Sequence, residues 1–179
     1  AAPVVTCAPG QDFTADPKNC GRCGHDCLGG ACLQNACQPV LLTTGATSFH
    51  VRADATHLYF ADTAKHVISR VPKRGGPIEV LADDEPFLYE LEIDDQHVYY
   101  QTAEHVRRVP KQGGPRQDLA PATNIGFVAI DAKGLFWAEG QGVGGARIHQ
   151  AGADGSGEHV IVKDRSGVET IEIDGDQMY

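Results

Sequence analysis

Three stretches of the chain share one rhythm of apolar and polar positions. VRADATHLYFAD from Val51, LEIDDQHVYYQT from Leu91 and VAIDAKGLFWAE from Val128 each run as an apolar-alternating segment ending in Asp, a short polar turn and an aromatic pair. A fourth, IEIDGDQMY, begins at Ile171. The aspartates Asp54, Asp94, Asp131 and Asp174 recur at spacings of 40, 37 and 43 residues. A second marker keeps step with them: RVPKRGGP starts at Arg70 and RVPKQGGP at Arg108, 38 residues on. AGADGSGEHV from Ala151 stands where the period puts a third, degenerate copy. Side chains alternate between the two faces of a strand, so period-two alternation of β-branched and aromatic residues predicts strands, and the Asp-rich and Gly-Gly segments predict the turns between them. In the first unit this places strand A over about 49–54, B over 57–62, C over 66–72 and D over 77–82. No window sustains an apolar stripe at the helical period.

Four strands per unit at a period near 40 is the arithmetic of a β-propeller, whose blades are four-stranded sheets around a central channel. The predicted fold is therefore all-β: a partial β-propeller of four-stranded antiparallel blades over 38–179, with blades at about 49–82, 87–120 and 126–163 and the start of a fourth at 167–179. Residues 38–43 align with the D strand of the first blade and predict an outer strand with no A, B or C strand before it. Rings close with about 4–8 blades, so the expectation is a truncated sequence, a six-bladed ring needing roughly another 100 residues.

Ahead of the repeats, all six cysteines, Cys7, Cys20, Cys23, Cys27, Cys32 and Cys37, lie in the first 37 residues, in a segment poor in large apolar side chains. Such a segment cannot bury enough apolar area to hold itself and is stapled by disulfides or by metal. Six cysteines fit three bridges in any of 15 connectivities. The zinc alternative rests on Cys20-Gly-Arg-Cys23 with His25 and Cys27 close behind, but a second ligand pair belongs about 12–20 residues downstream, and Cys32 and Cys37 come too soon. The spacing favours a small disulfide-rich N-terminal module over 1–37, and with it an oxidising location: extracellular, cell surface or periplasmic.

Two resemblances add to this reading. Asp16-Pro17-Lys18-Asn19-Cys20-Gly21-Arg22-Cys23-Gly24-His25-Asp26-Cys27 resembles the DPxNCGxCGxxC stretch of secreted bacterial cysteine-rich modules, similar to the plant stigma-specific protein family. That resemblance implies structural cysteines and no catalytic role. Tyr59-Phe60-Ala61-Asp62, Tyr99-Tyr100-Gln101-Thr102 and Phe136-Trp137-Ala138-Glu139 stand where the six-bladed YWTD/NHL/TolB-like propellers carry their tetrads, and Asp154-Gly155-Ser156 is similar to the DGS turn of those blades. This resemblance implies architecture, because one fold hosts many unrelated activities.

Charge narrows the function classes. A formal charge of −9 and no basic run longer than Lys73-Arg74 exclude the basic stripe that nucleic acid requires. No stretch reaches the roughly 20 consecutive apolar residues of a membrane-spanning helix. Asp54, Asp94, Asp131 and Asp174 read as structural turn residues, because each opens an A-to-B turn where a carboxylate accepts backbone N–H groups; His57 and His97 hold equivalent turn positions. Lys73-Arg74 and Lys111-Gln112 read as solvated C-to-D turns of the primed type, followed by Gly-Gly, and 140–145 as a B-to-C loop. Candidate binding residues lie on the D-to-A and B-to-C loops, which differ between units: Asp83, Asp84, Glu85, Phe87, Tyr89, Asn124, Glu139 and Arg165. The acidic loop suits a calcium ion through its carboxylates or a partner through Phe87 and Tyr89. With no Ser-His-Asp set, HExxH pair or nucleophile elbow in view, the sequence reads as a non-enzymatic binding protein that takes a protein or carbohydrate ligand at its loop face. Two alternatives stay open: a metal-dependent hydrolase or lyase with its site in the channel, and a receptor ectodomain.

Overall fold

A computed structural model describes residues 6–44, 46–48, 50–88, 90–121, 126–140, 145–165, 168, 170–174 and 177–179, the side chains of 164, 165 and 174 excepted. Every regular element among them is a strand. The chain divides into two compact units, Ala1–Gly45 with Val71–Pro77, and Ala46–Arg70 with Ile78–Tyr179.

In the first unit, residues 6–44 bury only Cys20, Cys27, Gly30 and Cys32. Three disulfides stand in for an apolar core: Cys7–Cys23, Cys20–Cys32 and Cys27–Cys37. The hairpin of β1 (Cys32–Leu33) and β2 (Ala36–Cys37) turns through Gln34 and Asn35, both left-handed with φ of 51° and 66°, the signature of a type I′ turn. It sets Cys32 directly opposite Cys37, yet each bonds a different upstream cysteine. Asp26 gathers the amine of Lys18 at 3.1 Å and the guanidinium of Arg74 at 2.7 Å, and the Arg74 hydrogen bond is the largest cause holding its carboxyl below the usual range.

Residues 38–43 form no strand, contrary to the expected outer D strand. A D strand needs a C strand to pair with, and every described C strand is already paired on both sides.

The second unit contains three four-stranded antiparallel sheets. The first is β3 (Val51–Ala53), β4 (His57–Asp62), β5 (Val67–Pro72) and β6 (Glu79–Ala82). The second is β7 (Leu91–Ile93), β8 (His97–Gln101), β9 (His105–Pro110) and β10 (Gln117–Pro121). The third is β11 (Val128–Asp131), β12 (Gly134–Glu139), β13 (Ala146–Ala151) and β14 (His159–Arg165). A two-stranded hairpin follows, β15 (Ile173–Asp174) and β16 (Gln177–Met178). In each sheet the strands lie in sequence order.

Alternation along each B strand divides the core between neighbouring sheets. Tyr59 and Ala61 pack with Val98 and Tyr100 of the next sheet; Tyr99 packs with Leu135 and Trp137 of the one after; Phe136 and Ala138 pack with Ile171 and Ile173. One B strand therefore supplies both of its interfaces, its even positions facing one neighbour and its odd positions the other. Burying one such aromatic contributes about 2–3 kcal/mol.

The RVPK marker works as a clasp between sheets. Arg70 Nη1 donates to the carbonyl of Lys111, and Arg108 Nη1 to the carbonyl of Ala153 at 2.8 Å, the matching position one sheet on. Lys111 is not solvated as its turn position suggested. It is 4% exposed, with its amine 3.1 Å from Asp54 and 4.8 Å above the centre of the Tyr59 ring. A neighbouring sheet covers the turn and leaves the ammonium to a carboxylate and an aromatic face. The turns themselves also depart from the primed type. Gly75 N–H donates to Pro72 O at 3.0 Å and Gly113 N–H to Pro110 O at 2.9 Å, so the central residues are Lys73-Arg74 and Lys111-Gln112, none of them left-handed. The left-handed residues are the following glycines, Gly75 and Gly113, each with φ of 81°. This is a type I turn followed by a left-handed glycine, set in a longer connection whose flanking pairs are Arg70–Glu79 and Arg108–Gln117.

Candidate binding surface at the loops between blades

The A-to-B turns are built alike in the first two sheets. Asp54 Oδ1 accepts the backbone N–H of Thr56 at 2.8 Å and of His57 at 2.9 Å, and Asp94 Oδ1 those of Gln96 at 2.7 Å and His97 at 2.6 Å. The other oxygen of each takes a tyrosine hydroxyl, Tyr59 at 2.8 Å and Tyr99 at 2.7 Å. Asp131 accepts Lys133 N–H at 2.7 Å, and Phe136 in the tyrosine position offers no hydroxyl. The Asp-to-Tyr step of five residues is visible in the repeats, where the tyrosines stand only as members of the aromatic pairs. Burial alone would raise the carboxyls of Asp54 and Asp94; hydrogen bonds from the turn N–H groups and tyrosines, with Lys111 added at Asp54, outweigh it and hold both low. Burial first, and the neighbouring carboxylate second, push the hydroxyls of Tyr59 and Tyr99 up to about 12.

These depressed carboxyls have a pH consequence. A group whose folded pKa lies below its unfolded value stabilises the fold above the unfolded value, about 3.9 for Asp, and that contribution is lost as pH falls through the folded one. The thermal midpoint of the protein is expected to fall steadily as pH drops below about 4. Asp54→Asn should lower the midpoint at neutral pH and flatten the acid limb, and an unchanged acid limb in that variant would contradict the assignment.

The loop 83–88, from β6 to β7, encloses one of its acidic residues. Glu85 turns inward and is 0% exposed. Its N–H donates to His66 O at 2.9 Å. Its carboxylate accepts the Tyr100 hydroxyl at 2.8 Å, Arg107 Nη1 at 2.6 Å and Arg116 Nη1 at 3.0 Å. Arg107 also reaches Asp118 at 2.6 Å, and Arg116 donates to Asp83 O at 2.9 Å. Burial, and then the charge of Glu85, raise the Tyr100 hydroxyl well above its ordinary value. Asp84 and Phe87 are left-handed, with φ of 55° and 57°, a conformation that costs a residue with a Cβ about 1–2 kcal/mol. Leu88 is buried, whereas Phe87 is 62% exposed. A loop pinned by Glu85 and Leu88 thus holds an aromatic ring out in water at a conformational cost. Beside it, Leu81, Ala82, Asp83, Asp84, Gly114 and Arg116 line a groove of about 350 Å³.

Of the other sequence candidates, Tyr89 and Asn124 lie outside the described residues, as do 141–144 of the B-to-C loop and the side chains of Arg165 and Asp174. In the first two blades the residue matching Glu139 folds the B-to-C turn: Asp62 accepts Ala64 and Lys65 N–H at 3.2 Å, and Thr102 Oγ1 accepts His105 N–H at 3.1 Å. Glu139 lies 3.1 Å from His149 Nε2, whose Nδ1 is 2.7 Å from Glu158 and whose ring stacks on Trp137 at 5.1 Å. Neither His149 nor Glu158 was picked out from sequence.

At the starts of the inner strands, Arg52 pairs with Glu92 and lies 3.9 Å from Glu90, which accepts Val128 N–H at 3.3 Å. Burial raises the Glu90 carboxyl, and it lowers the His50 imidazole. Among the described residues, the one group of three ligand atoms close enough to share a metal is the sulfurs of Cys20, Cys27 and Cys37. With both Glu85 oxygens engaged, a calcium ion in the acidic loop would rest on Asp83 and Asp84.

Comparison with solved structures settles the architecture. A chain of the crystal structure of a nidogen/laminin complex matches with a TM-score of 0.63 at 16% identity, over 71% of this chain and 52% of that one. The fold is of the β-propeller kind. This chain thus spans about half the length of that propeller-containing neighbour. Two computationally designed proteins also match: Ika4 with a TM-score of 0.55 at 11% identity over 78% of this chain and 87% of its own, and Ika8 with 0.54 at 11% over 72% and 41%. No protein-family model and no curated protein matches the chain. Among the described residues of the propeller and its cysteine-rich module, no helix is long and apolar enough to cross a membrane.

Proposed function

We propose that this chain is a non-enzymatic recognition protein of an oxidising compartment, extracellular, cell-surface or periplasmic, and that it binds a protein partner at the loop between its first two blades. The observation that carries the reading is Phe87, an exposed aromatic on a left-handed residue between two buried anchors. Exposed aromatics on rigid supports are the usual energetic centres of protein interfaces. The exposed carboxylates Asp83 and Asp84 beside it, on a chain of charge −9, favour a partner segment that combines an apolar contact with Lys or Arg. Three disulfides support the oxidising compartment, and the nidogen/laminin neighbour, itself a protein complex, is in keeping with protein binding. The channel-enzyme alternative has less to rest on, because Arg52 and Val128 N–H engage Glu90 and Glu92.

A photo-crosslinking residue placed at Phe87, and in parallel at exposed Glu104, tests the reading against secreted proteins of the source organism. The expected result is one adduct specific to position 87, suppressed by excess unlabelled wild-type protein and not by Phe87→Ala. That variant should match wild-type stability within about 0.5 kcal/mol, since an exposed side chain contributes little to folding. Equal labelling from both positions, or equal competition by Phe87→Ala, would remove the basis for this surface.

A further inference from the structure

The second and third sheets carry different chemistry at one position of the repeat. In the strand register Tyr100 stands opposite Arg107 and Trp137 opposite His149, and the residues just ahead of the outer strands are Arg116 and Glu158. Tyr100, Arg107 and Arg116 therefore correspond to Trp137, His149 and Glu158. In the second sheet the two guanidinium groups meet the carboxylates of Glu85 and Asp118. In the third sheet neither arginine is present, and His149 lies between the carboxylates of Glu139 and Glu158. Fixed positive charge has given way to a buried imidazole between two negative groups, an arrangement that a bound cation balances.

The two ring nitrogens of His149 have distinct surroundings. Nδ1 is 2.7 Å from Glu158 Oε1. A carboxylate only accepts, so Nδ1 carries a hydrogen, and in the neutral ring Nε2 presents a lone pair. Nε2 is buried without a hydrogen-bond partner, although Glu139 Oε2 is 3.1 Å away; the two atoms are close but not aligned for a hydrogen bond. A zinc-type ion holds an imidazole nitrogen at about 2.0–2.1 Å and a carboxylate oxygen at about 2.0–2.2 Å, which sets the two ligand atoms roughly 3.0–3.4 Å apart at angles of about 95–110°. The observed separation falls in that range. An ion bound to both atoms lies off the line joining them, so an unaligned contact suits an ion where it does not suit a hydrogen bond. Glu158 stands behind the ring as the carboxylate that fixes tautomer and direction at histidine metal sites, and the stacked Trp137 ring, tilted by 13°, restrains it further. The side chains of Glu139 and Glu158 are 23% and 44% exposed, which gives an ion its way in.

We propose that Glu139 and His149 bind one borderline divalent cation of the zinc or copper type, with Glu158 as the positioning residue. Imidazole with carboxylate favours these ions over calcium and magnesium, which take oxygen ligands. Among the described residues no third His, Cys, Asp or Glu ligand atom joins the pair, so water completes the coordination. The ion ties the end of β12 to the middle of β13, and it supplies the positive charge that Arg107 and Arg116 supply one sheet earlier.

Trp137 is the one tryptophan of the chain, and all cysteines are in disulfides, so the oxidised full chain can be titrated with Ni²⁺ and read by fluorescence without competing thiols. The expected result is saturable quenching at one equivalent, reversed by Zn²⁺ and not by Ca²⁺. Glu139→Gln and His149→Gln should each remove it, and His159→Gln, on a neighbouring exposed ring, should leave it unchanged. Glu158→Gln should lower the affinity roughly 10–100-fold while His149 Nε2 remains the atom that the metal shifts. A second measurement needs no variant: in ¹⁵N spectra of the wild-type protein under Zn²⁺, His149 Nε2 should shift ahead of the other seven of the 8 histidines. Quenching without saturation, quenching retained in Glu139→Gln, or another ring shifting before His149 would each overturn the proposal.

Discussion

Glu85→Ala is expected to lower the unfolding free energy of the protein by about 3 kcal/mol, the cost of removing one partner from a buried ion pair. Glu85 has no exposed surface and joins Tyr100, Arg107 and Arg116. Its loss leaves the Arg107 guanidinium, itself mostly buried, without its main counter-charge and the Tyr100 hydroxyl without an acceptor. Asp118 retains part of Arg107, and Arg116 is exposed enough to turn to water, which keeps the effect at the lower end of the buried-pair range. Urea unfolding of the single variant and of Glu85→Ala/Arg107→Met measures it. The double variant should recover part of the loss, because an apolar side chain in place of an orphaned charge is better tolerated. A single-variant loss under about 1 kcal/mol would show that the cluster is hydrated and contributes as a surface pair does. Because the same carboxylate holds the loop that presents Phe87, this variant should also weaken the crosslink at position 87, separating support of the loop from direct contact.

The second large effect concerns the cysteine module. Replacing Cys20 and Cys32 together by serine, in oxidised protein, should cost about 3 kcal/mol, the loop-closure entropy returned to the unfolded chain when a cross-link over a dozen residues is lost. Since residues 6–44 bury only three cysteines and one glycine, no apolar packing offsets the loss, and the module is expected to open locally. Hydrogen exchange reads this out by position. Cys27 N–H, bonded to Pro17 O, and Gly21 N–H, bonded to Phe13 O, should lose protection, whereas the ladder amides of Tyr99 and Trp137 keep theirs. Unchanged protection at Cys27 would mean that the other two bridges suffice.

Much of the architecture was legible in the chain itself. Repetition is a sequence property: Asp54, Asp94 and Asp131 announce the same turn three times, and alternation with aromatic content marks β4, β8 and β12 as strands. The turn aspartates needed only the local rule that a carboxylate accepts N–H groups two and three residues on. The expected outer strand at 38–43 failed because strand character is completed by a partner, and local pattern does not reveal whether one is there. The C-to-D turns were read as primed from their Gly-Gly pairs, but the register of the hairpin, not composition, decides which residues occupy the centre.

The candidate surface was only partly readable. The loop 83–89 stood out because it is acidic and aromatic in a position that otherwise varies, so Phe87 and Glu85 were named together as binding residues. Their opposite fates, one in water and one wholly enclosed, depend on Arg107 and Arg116, which lie 22 and 31 residues away and approach through the packing of one blade on the next. Lys111 and Asp54 likewise meet across 57 residues.

The sequence by itself determined what is local or periodic: the all-β fold of four-stranded antiparallel units, the aspartate-capped turns and the need to staple a coreless module. Tertiary structure decided what depends on distant groups meeting: the pairing of the six cysteines, the burial of Lys111 and Glu85, and the approach of Glu139 to His149. The physical reason is the range of each interaction. Strand alternation and turn chemistry act over a few residues and recur wherever the pattern does. Disulfide partners and buried ion pairs are fixed by which groups the folded chain brings together within each unit.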